Sequence, residues 1–354
     1  MNSEIDAVIT WVDGSDLAWK RELDSFKPPT IGDESKMQKF RDWDTLRYIF
    51  RGIEEFMPWI RKIHFVTAGH LPKWIDTSNP KLNIVTHSDI FENRSDLPTF
   101  NSNSIEFNFL NIDDLSEQFI YFNDDMLVLK PTAQERMFMN GKPRDYLIQT
   151  IPRRGWIYYK FFSNVAWRYN LNNNVALINR HFSKKESIKK YRELYYNDTY
   201  SISANIKNRI SNLFRKYHYF EHYHQAQPFL KSVWEEATLA CKDEIDMTIS
   251  QRFRERSGVT AYLFRYWHLV SGHFVPHNEK DFIIRNLQNI DNIKEIANLL
   301  KEKRFRFVCL NDESFEMDNE EFIQGKKIIN EALDRVLPLP SSYEKSSSNL
   351  IPEP

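Results

Sequence analysis

Two apolar runs in the first third of the chain each end in acidic residues. The runs cover residues 5–12 and 119–122, and the carboxylates that follow them are Asp13, Asp16, Asp124 and Asp125. Mg²⁺ and Mn²⁺ prefer oxygen ligands and keep waters and substrate phosphates in their coordination shells. If the two runs are neighbouring strands, the four acids predict a divalent-cation site; if they are not, the acids are solvated turns.

A stretch dense in histidine and aromatic residues offers a base. Its sequence is YHYFEHYHQAQPF, with His218, His222 and His224. Imidazole titrates near neutral pH, so one of these side chains could take a proton from a hydroxyl nucleophile. A zinc site is a second interpretation, although the neighbouring sequence supplies no thiolate and no clear third ligand. The plainest alternative is a set of exposed or hydrogen-bonded helix histidines.

Three arginines alternate in SQRFRERSG, at Arg252, Arg254 and Arg256. The planar guanidinium can bind two phosphate oxygens at once, which suits a reaction in which charge develops on a phosphoryl group. The alternative is a solvated basic turn.

Composition excludes several classes of protein. The 354 residues carry 48 Lys and Arg against 49 Asp and Glu, a formal charge of -1, which argues against bulk binding of nucleic acid. No GxGxxG or GxxxxGK[ST] motif is present, so a glycine-rich loop does not hold a nucleotide here. We expect a cytoplasmic chain, because no basic segment precedes an apolar one at the N-terminus and no run approaches the roughly 18 apolar residues of a membrane span. Cys241 and Cys309 are expected to be buried thiols.

Strands and helices that alternate along the sequence must position these groups. Strands are predicted at residues 5–12, 62–67, 82–86, 119–122 and 305–310, the last followed by a turn at Asn311 and Asp312. A helix is predicted over residues 42–57, with Asp42 or Asp44 as its cap and Pro58 as its stop. This alternation predicts an α/β fold with a mostly parallel sheet. Ligands bind such sheets beyond the carboxyl ends of their strands, where the acids lie.

The middle of the chain is basic and aromatic. Residues 181–220 contain nine Lys or Arg and three acids, a charge of +6, interleaved with tyrosine and phenylalanine. Cations beside aromatic rings would suit an anionic polymer or the anionic inner leaflet of a membrane. The alternative is a solvated helical face.

In their order along the chain, four sequence blocks resemble the Stealth family of bacterial capsule phosphotransferases, which is related to the catalytic part of animal N-acetylglucosamine-1-phosphotransferase. The first block is IDAVITWVDGSD. The second runs from RDWDTLRYIFRGIEEFMPWIRKIHFVTAGHLPKWI through LPTFNSNSIEFNF to LSEQFIYFNDDMLVLKP. The third runs from HYHQAQPFLKSVWEE to FRERSGVTAYLFRYW, and the fourth is FVCLND. Residues 140–220 match less clearly.

This resemblance implies a glycosyltransferase-A-like fold and the transfer of a sugar-1-phosphate. The donor would be a nucleotide-diphosphate sugar, with UDP-linked hexose or N-acetylhexosamine as the expected form. The acceptor would be a hydroxyl of a growing capsular or cell-surface polysaccharide, or of a lipid-linked glycan. The products would be a phosphodiester and a nucleoside monophosphate, with Mg²⁺ or Mn²⁺ as the cofactor. No nucleic acid takes part, and peripheral contact with the inner membrane is expected.

The resemblance also implies roles for single residues. Asp124 and Asp125 correspond to the metal-binding acids, with Asp125 also part of the catalytic set. His224, in HxxxP, corresponds to the catalytic histidine, and Arg254, in FRERSG, to the phosphate-binding arginine. The residues expected to line the substrate site are Asp13, Asp16, Asp42, Arg47, Glu106 and Asp312. One departure is Gly258, where the family pattern has an acid.

These inferences divide the chain into four parts. Residues 1–140 are expected to bind the nucleotide sugar and the metal, and residues 141–220 to be a basic, aromatic helical insertion. Residues 221–336 carry the histidine and arginine and complete the same domain, and residues 337–354, rich in Pro and Ser, are expected to be a disordered tail.

Two other functions remain open from sequence. One is a metal-dependent glycosyltransferase that transfers the sugar alone. The other is a non-catalytic glycan-binding or assembly protein, which the aromatic residues at 153–169 favour because rings can stack on sugars.

Overall fold

The runs of β-branched and aromatic residues form strands where the sequence predicts them. The computed structural model describes residues 4–27, 41–150, 166–314 and 316–346, and the predicted aromatic stretch at 153–165 lies outside these ranges. In the first half the elements are β1 (Ile5–Thr10), α1 (Leu17–Phe26), α2 (Leu46–Phe56), β2 (Ile63–Thr67), β3 (Leu82–Thr86), α3 (His87–Ile90), α4 (Ser102–Glu106), β4 (Gln118–Phe122), β5 (Met126–Val128), β6 (Phe138–Met139) and β7 (Lys142–Asp145).

The second half is mainly helical. Its elements are α5 (Ala166–His181), α6 (Lys184–Lys190), α7 (Arg192–Tyr195), α8 (Ile202–Ser211), β8 (Gln227–Leu230), α9 (Lys231–Ala240), α10 (Lys242–Ile249), α11 (Tyr262–Ser271), β9 (Val275–Pro276), β10 (Phe282–Leu287), α12 (Ile290–Lys301), β11 (Phe307–Asp312) and α13 (Asn319–Val336). None of these helices is both long and apolar enough to cross a bilayer.

The central sheet has five strands in the order β3-β2-β1-β4-β8. Strands β1 to β4 pair in parallel, as the alternation of strands and helices predicts, whereas β8 pairs with β4 in the antiparallel sense. Two small sheets, β10-β11-β5 and β6-β7-β9, each contain one parallel and one antiparallel pair. The architecture is therefore mixed α/β, and sequence did not predict the two small sheets.

Several predicted element boundaries were wrong by one to four residues, and two of them bear on the site. Helix α2 begins at Leu46 after Thr45, because Asp42 Oδ1 accepts the Asp44 amide at 2.7 Å and Asp44 takes a φ of 56°, so residues 42–44 form a turn. Strand β11 continues to Asp312, which pairs with Leu287 of β10, so its last two residues are strand and not turn.

The basic, aromatic middle of the chain packs into the main core. Val175, Leu177 and Ile178 of α5 belong to the same cluster of buried residues as β1 and β4. Of the eight tyrosine and phenylalanine rings at residues 191–220, five are buried: Tyr195, Tyr200, Tyr217, Tyr219 and Phe220. Lys184 is buried as well, and its Nζ donates to the Ser211 carbonyl at 2.6 Å. These rings and this lysine are therefore interior groups and cannot form the predicted surface.

The predicted disorder from residue 337 onward was wrong for residues 337–346. Leu337 and Tyr343 are buried, the Tyr343 carbonyl accepts the Asp76 amide at 2.7 Å, and Glu344 pairs with Arg51 of α2 at 2.7 Å. Residues 347–354 lie outside the described part of the chain. Both cysteines are buried free thiols, as predicted.

Candidate active site

The two acid-bearing loops predicted from sequence come together at one edge of the central sheet. β1 and β4 are parallel neighbours, with Ile9 opposite Phe122, so the residues after each strand leave the sheet at the same edge. The two strands are therefore neighbours, which is the condition under which the sequence predicts a cation site at these acids. Asp124 and Asp125 lie where two cavities meet.

The two cavities share part of their walls. The larger, about 460 Å³, contains mainly polar and tryptophan side chains, among them Arg41, Asp42, Trp43, Trp167, Asn311 and Asp312. The smaller, about 270 Å³, is more apolar and includes Trp19, His87, Phe100, Ser102, Asn123 and His224. Trp11, Val12, Asp124 and Asp125 line both. A two-part ligand, or two ligands, could thus meet at the acid pair.

His224 is held at the acid pair by two hydrogen-bonding groups. Its Nε2 lies 3.2 Å from Asp125 Oδ2 and 3.1 Å from Asn123 Nδ2. The Tyr121 hydroxyl donates to Asn123 Oδ1, which directs the Asn123 amide NH₂ toward the imidazole. The amide can donate to the neutral ring and the carboxylate can accept from the protonated ring, so both states of a base have a partner.

Cys309 and Glu106 complete this network. The Cys309 thiol donates to Asp125 Oδ2 at 3.1 Å, because β11 pairs with β5 directly after the acid loop. The Tyr121 hydroxyl also donates to Glu106 Oε1 at 3.1 Å. The sequence predicts Cys309 only as a buried thiol, and nothing in it singles out Tyr121.

Burial and neighbouring charge set the protonation of these groups. Burial raises the pKa of Asp124 to about 7, and the Asp125 and Asp42 carboxylates add to the increase. Burial acts on Asp125 in the same direction, but the His224 charge outweighs it, so the pKa of Asp125 lies below its ordinary value. The pKa of His224 is raised, because the Asp125 carboxylate outweighs the opposing effect of burial. Burial raises the pKa of Glu106 to about 7, against the nearby Arg254.

The donor set suits a hard divalent cation. Asp125 Oδ1 and Asp312 Oδ2 are buried and have no hydrogen-bond partner among the described residues, and both side chains line the larger cavity. Asp124 and Asp42 add further carboxylates there. Asp125, His224 and Cys309 also form a close three-residue group. Burial raises the pKa of the Cys309 thiol, which favours its protonated form as a hydrogen-bond donor to Asp125.

Among the three alternating arginines, Arg254 faces the site. Its Nη2 donates to Ser102 Oγ at 2.9 Å beside the smaller cavity, and its buried Nε has no hydrogen-bond partner within the described residues. By contrast, Arg252 donates to the carbonyls of Ser95 and Leu97 and holds a loop. Arg254 therefore has donor capacity left for a ligand.

Four of the residues expected to line the site lie outside both cavities: Asp13, Asp16, Arg47 and Glu106. Asp16 caps α1, accepting the Trp19 amide at 2.7 Å, and Asp13 accepts the Ser15 amide at 2.8 Å. The Arg47 guanidinium lies over the Trp74 ring, 5.8 Å from its centroid. Asp42 and Asp312 do line the larger cavity, and Glu106 is connected to the smaller one through Tyr121.

The other two histidines have different surroundings. The His222 ring lies 4.4 Å from that of Tyr262, and its Nδ1 lies 3.2 Å from the Tyr266 hydroxyl. The His218 ring contacts that of Phe214. Only His224 of the three lines either cavity.

Gly258, where the resemblance predicts an acid, has little space for a side chain unless its neighbours move. A Cβ at this position would lie 2.8 Å from Gln251 Oε1 and 3.4 Å from Asn170 Nδ2. Both amides are part of the packing that holds the loop after Arg254, and Asn170 Nδ2 donates to the Gly258 carbonyl at 2.8 Å. A larger residue at this position would therefore require the Gln251 side chain to shift.

Comparison with known proteins identifies three conserved regions of one family in this chain. Conserved regions 1, 2 and 4 of Stealth proteins match residues 3–28, 39–145 and 298–350, and His224 and Arg254 lie between the last two. The comparison with solved structures gives apo-form glycosyltransferase GlyE of Streptococcus pneumoniae TIGR4, at 10% identity over 91% of this chain and 83% of that chain. Its TM-score of 0.22 is too low to assign a fold.

Curated relatives match almost from end to end. The chain is 32% identical to a capsular polysaccharide phosphotransferase WcwK of Streptococcus pneumoniae, over 97% of this chain and 98% of that protein. It is 30% identical to the exopolysaccharide phosphotransferase cps2G of Lactiplantibacillus plantarum, over 97% and 96%. It is 31% identical to the receptor polysaccharide phosphotransferase WefC of Streptococcus gordonii, over 97% and 100%. These matches, together with the three conserved regions, show that the chain belongs to the Stealth family.

Proposed function

We propose that this protein transfers a sugar-1-phosphate from a nucleotide-diphosphate sugar to a hydroxyl of a capsular or other cell-surface polysaccharide. The names of the relatives support a phosphotransferase that acts on polysaccharide. The observation that carries the proposal is the position of His224: an imidazole paired with Asp125, at the place where two cavities meet. A base at a junction between two binding spaces suits transfer of a group from one ligand to the other.

The larger cavity takes the nucleotide-diphosphate sugar and the smaller one the acceptor hydroxyl. Carboxylates and tryptophans line the first, so it offers cation ligands for a diphosphate and rings for a base. His224 and the aromatic side chains of Trp19 and Phe100 line the second, which suits a sugar ring whose hydroxyl points at the imidazole. UDP-linked hexose or N-acetylhexosamine is the donor we expect.

The reaction makes one phosphorus–oxygen bond and breaks another. The acceptor oxygen attacks the sugar-bearing phosphorus while His224 Nε2 takes the hydroxyl proton, and Asp125 stabilises the imidazolium that forms. The bond from that phosphorus to the bridging oxygen breaks, and a nucleoside monophosphate leaves. The bond between the sugar carbon and its oxygen stays intact, so the anomeric configuration is retained.

Other side chains orient the His224 imidazole and neutralise charge on the phosphates. Asn123, held by Tyr121, keeps the imidazole aimed with Nε2 toward the acid pair. Arg254 binds a phosphate oxygen through the guanidinium donors that the protein leaves free. A Mg²⁺ or Mn²⁺ ion held by Asp124 and Asp125, with Asp312 near, would neutralise charge on the transferring and leaving phosphates. The parallel strands β1 to β4 with acids at their ends suit a glycosyltransferase-A-like arrangement.

The released nucleotide tests this proposal. Purified protein is incubated with Mg²⁺, a polysaccharide acceptor and each member of a panel of nucleotide sugars, and the nucleotide product is identified by chromatography. We expect a nucleoside monophosphate that appears with phosphodiester in the polymer and that His224→Ala does not release. A nucleoside diphosphate would instead identify a glycosyltransferase that moves the sugar alone. Binding of polysaccharide without turnover of any donor would identify a glycan-binding protein.

A further inference from the structure

Helix α8 and the turn that follows it direct their large apolar side chains away from the protein. The exposed fractions are 83% for Ile202, 48% for Ile206, 54% for Ile210, 83% for Leu213 and 54% for Phe214. Residues three and four apart share one face of a helix, so the first four side chains form a continuous stripe. We call these five residues the α8 stripe. Scattered apolar residues on a surface need no explanation, but a contiguous stripe does.

The opposite face of α8 is polar and fixes the orientation of the helix. Asn208 is fully buried, its Nδ2 donates to the carbonyls of Leu147 and Tyr195, and its Oδ1 accepts the Gln149 amide at 2.8 Å. Rotation of the helix to bury the stripe would leave these groups without partners, which is costly in an interior. The outward position of the stripe is therefore a property of the native packing.

Cations surround the stripe and acids are absent from it. Residues 199–220 contain four Lys or Arg and no Asp or Glu. Lys207, Arg209, Arg215 and Lys216 are all exposed, and within the described residues only Lys207 forms an ion pair, with Glu221. Helix α6, joined to the end of α8 by the Lys184–Ser211 hydrogen bond, adds three more exposed cations, Lys185, Lys189 and Lys190.

We propose that the α8 stripe is a docking surface for an anionic lipid bilayer. A helix with an apolar face bordered by Lys and Arg lies in the interface of a membrane, with its apolar side chains among the acyl chains and its cations at the lipid phosphates. A second copy of the chain is a poorer occupant. A symmetric pair would place the same cations of both copies against each other, and like charges at an interface are repulsive.

Helix α8, which carries the stripe, is connected by packing to the proposed acceptor site. Ala204 of α8 packs in a small cluster with Tyr146, Ile148 and Tyr200, and Tyr223, the residue before His224, packs against that cluster. Docking would hold this segment beside the bilayer, where a lipid-linked glycan presents its hydroxyl. That consequence rests on the proposed function, whereas binding of lipid does not.

Vesicle flotation tests the docking surface directly. The full-length protein is mixed with vesicles of phosphatidylcholine alone or with added phosphatidylglycerol. We expect the protein to float with the anionic vesicles only. Replacement of four stripe residues (Ile206→Ser, Ile210→Ser, Leu213→Ser and Phe214→Ser) should lower the bound fraction about tenfold or more. The matched control replaces four exposed apolar residues elsewhere (Leu239→Ser, Met247→Ser, Ile323→Ser and Leu339→Ser) and should bind like the parent.

A labelled variant keeps the test valid even if the fourfold variant fails to fold. Both native cysteines are buried, so Leu213→Cys can be labelled selectively with an environment-sensitive fluorophore. Its emission should shift to the blue when anionic vesicles are added, and that of labelled Leu239→Cys should not. Equal flotation of parent and stripe variant would overturn the proposal. So would a concentration-dependent dimer that the stripe variant dissociates, without binding to vesicles.

Turnover of a soluble donor and a soluble oligosaccharide acceptor separates the two proposals. The stripe variant should keep this activity, because none of its residues lines either cavity. Loss of vesicle binding with full activity supports docking, and vesicle binding without any transferase activity would reject the proposed function alone.

Discussion

Asp125 has the most informative surroundings of any side chain in the site. One carboxylate oxygen contacts the Cys309 thiol and the His224 ring, and the other is buried with no partner among the described residues. Asp125→Asn keeps the shape and removes the charge, so turnover should fall by about 10²-fold or more. Excess chelator should abolish the activity of the parent protein, and added Mg²⁺ or Mn²⁺ should restore it.

Thermal unfolding provides the control for Asp125. The variant should unfold near the temperature of the parent, because the carboxylate is placed for a ligand and not for packing. Full activity in excess chelator contradicts the metal assignment, and loss of activity together with collapse of the fold would make Asp125 a structural residue.

The histidine cluster allows a comparison between two similar substitutions. His224→Ala removes the proposed base and should lower kcat by about 10²-fold or more. His218→Ala removes a ring that contacts Phe214 and should change kcat little. Steady-state kinetics of both proteins with one donor measure the difference. A larger loss from His218→Ala would show that the base is assigned to the wrong histidine.

Sequence predicted the carboxylates of the site better than the residues that hold them. Asp124 and Asp125 follow an apolar strand, and that pattern is visible without a structure. Tyr121 and Cys309 lie inside strands, where an aromatic residue or a thiol is typical of a core, and only the pairing of β11 with β5 brings the thiol to Asp125. Asp13 also follows a strand closely, but one of its carboxylate oxygens accepts local hydrogen bonds from the Ser15 amide and hydroxyl.

Strand β7 and helix α11 are joined by a buried ion network. Asp145 accepts hydrogen bonds from Arg265 Nε and Nη2, each at 2.8 Å, and lies 2.8 Å from His268 Nε2. Arg265 Nη1 also donates to the Glu221 carbonyl, three residues before His224. Asp145→Ala would leave a buried guanidinium without its partner and should lower the free energy of unfolding by about 3–5 kcal/mol.

Denaturant unfolding measures this cost, with Asp246→Ala as the control. Asp246 pairs with Lys242 on an exposed helix face, and its loss should cost no more than about 0.5 kcal/mol. Burial acts to raise the pKa of Asp145, but Arg265 and His268 outweigh it and hold the pKa well below its ordinary value. The stabilisation is therefore present above the unfolded pKa of about 3.9 and is lost as pH falls below it. An unchanged acid transition in Asp145→Asn would contradict this account.

Helix α8 shows why periodicity alone does not orient an element. Ile202, Ile206 and Ile210 recur at helical spacing, a pattern typical of a face that packs on the core. The structure places the opposite face inward, because Asn208 satisfies three backbone groups there. No feature of the sequence distinguishes an asparagine that closes a buried network from one that is solvated.

The C-terminal end of the described chain is held by a buried ion pair with α2. Residues 337–346 pack beside α2, where Glu344 binds Arg51 Nε and Nη2 with both carboxylate oxygens at 2.7 and 2.8 Å. Glu344→Ala should lower the free energy of unfolding by about 3 kcal/mol, since Arg51 is left buried with weaker partners. Thermal and denaturant unfolding measure the loss. Glu331→Ala, at an exposed position on α13, should be near neutral, and equal effects of the two changes would contradict a specific role for the pair.

The prediction of disorder was wrong for residues 337–346 because it rested on composition alone. Proline and serine favour a solvated chain, but a few contacts are sufficient to hold such a segment against the protein. Here Leu337 and Tyr343 are buried, and the Ser341 amide donates to Glu344. Such contacts depend on the complementary surface of α2, which no local pattern describes. The parallel pairing of β1 to β4, by contrast, follows from the alternation of strands and helices along the chain and is present in the structure.

The shared wall between the two cavities has a kinetic consequence. Trp11, Val12, Asp124 and Asp125 border both spaces, so two ligands in separate cavities would meet at the acid pair. Both substrates can then reside on the protein at once, and double-reciprocal plots at several fixed concentrations of the second substrate should intersect instead of running parallel. A nucleoside monophosphate would compete with the donor alone, and an acceptor fragment whose hydroxyl is replaced by hydrogen would compete with the acceptor alone.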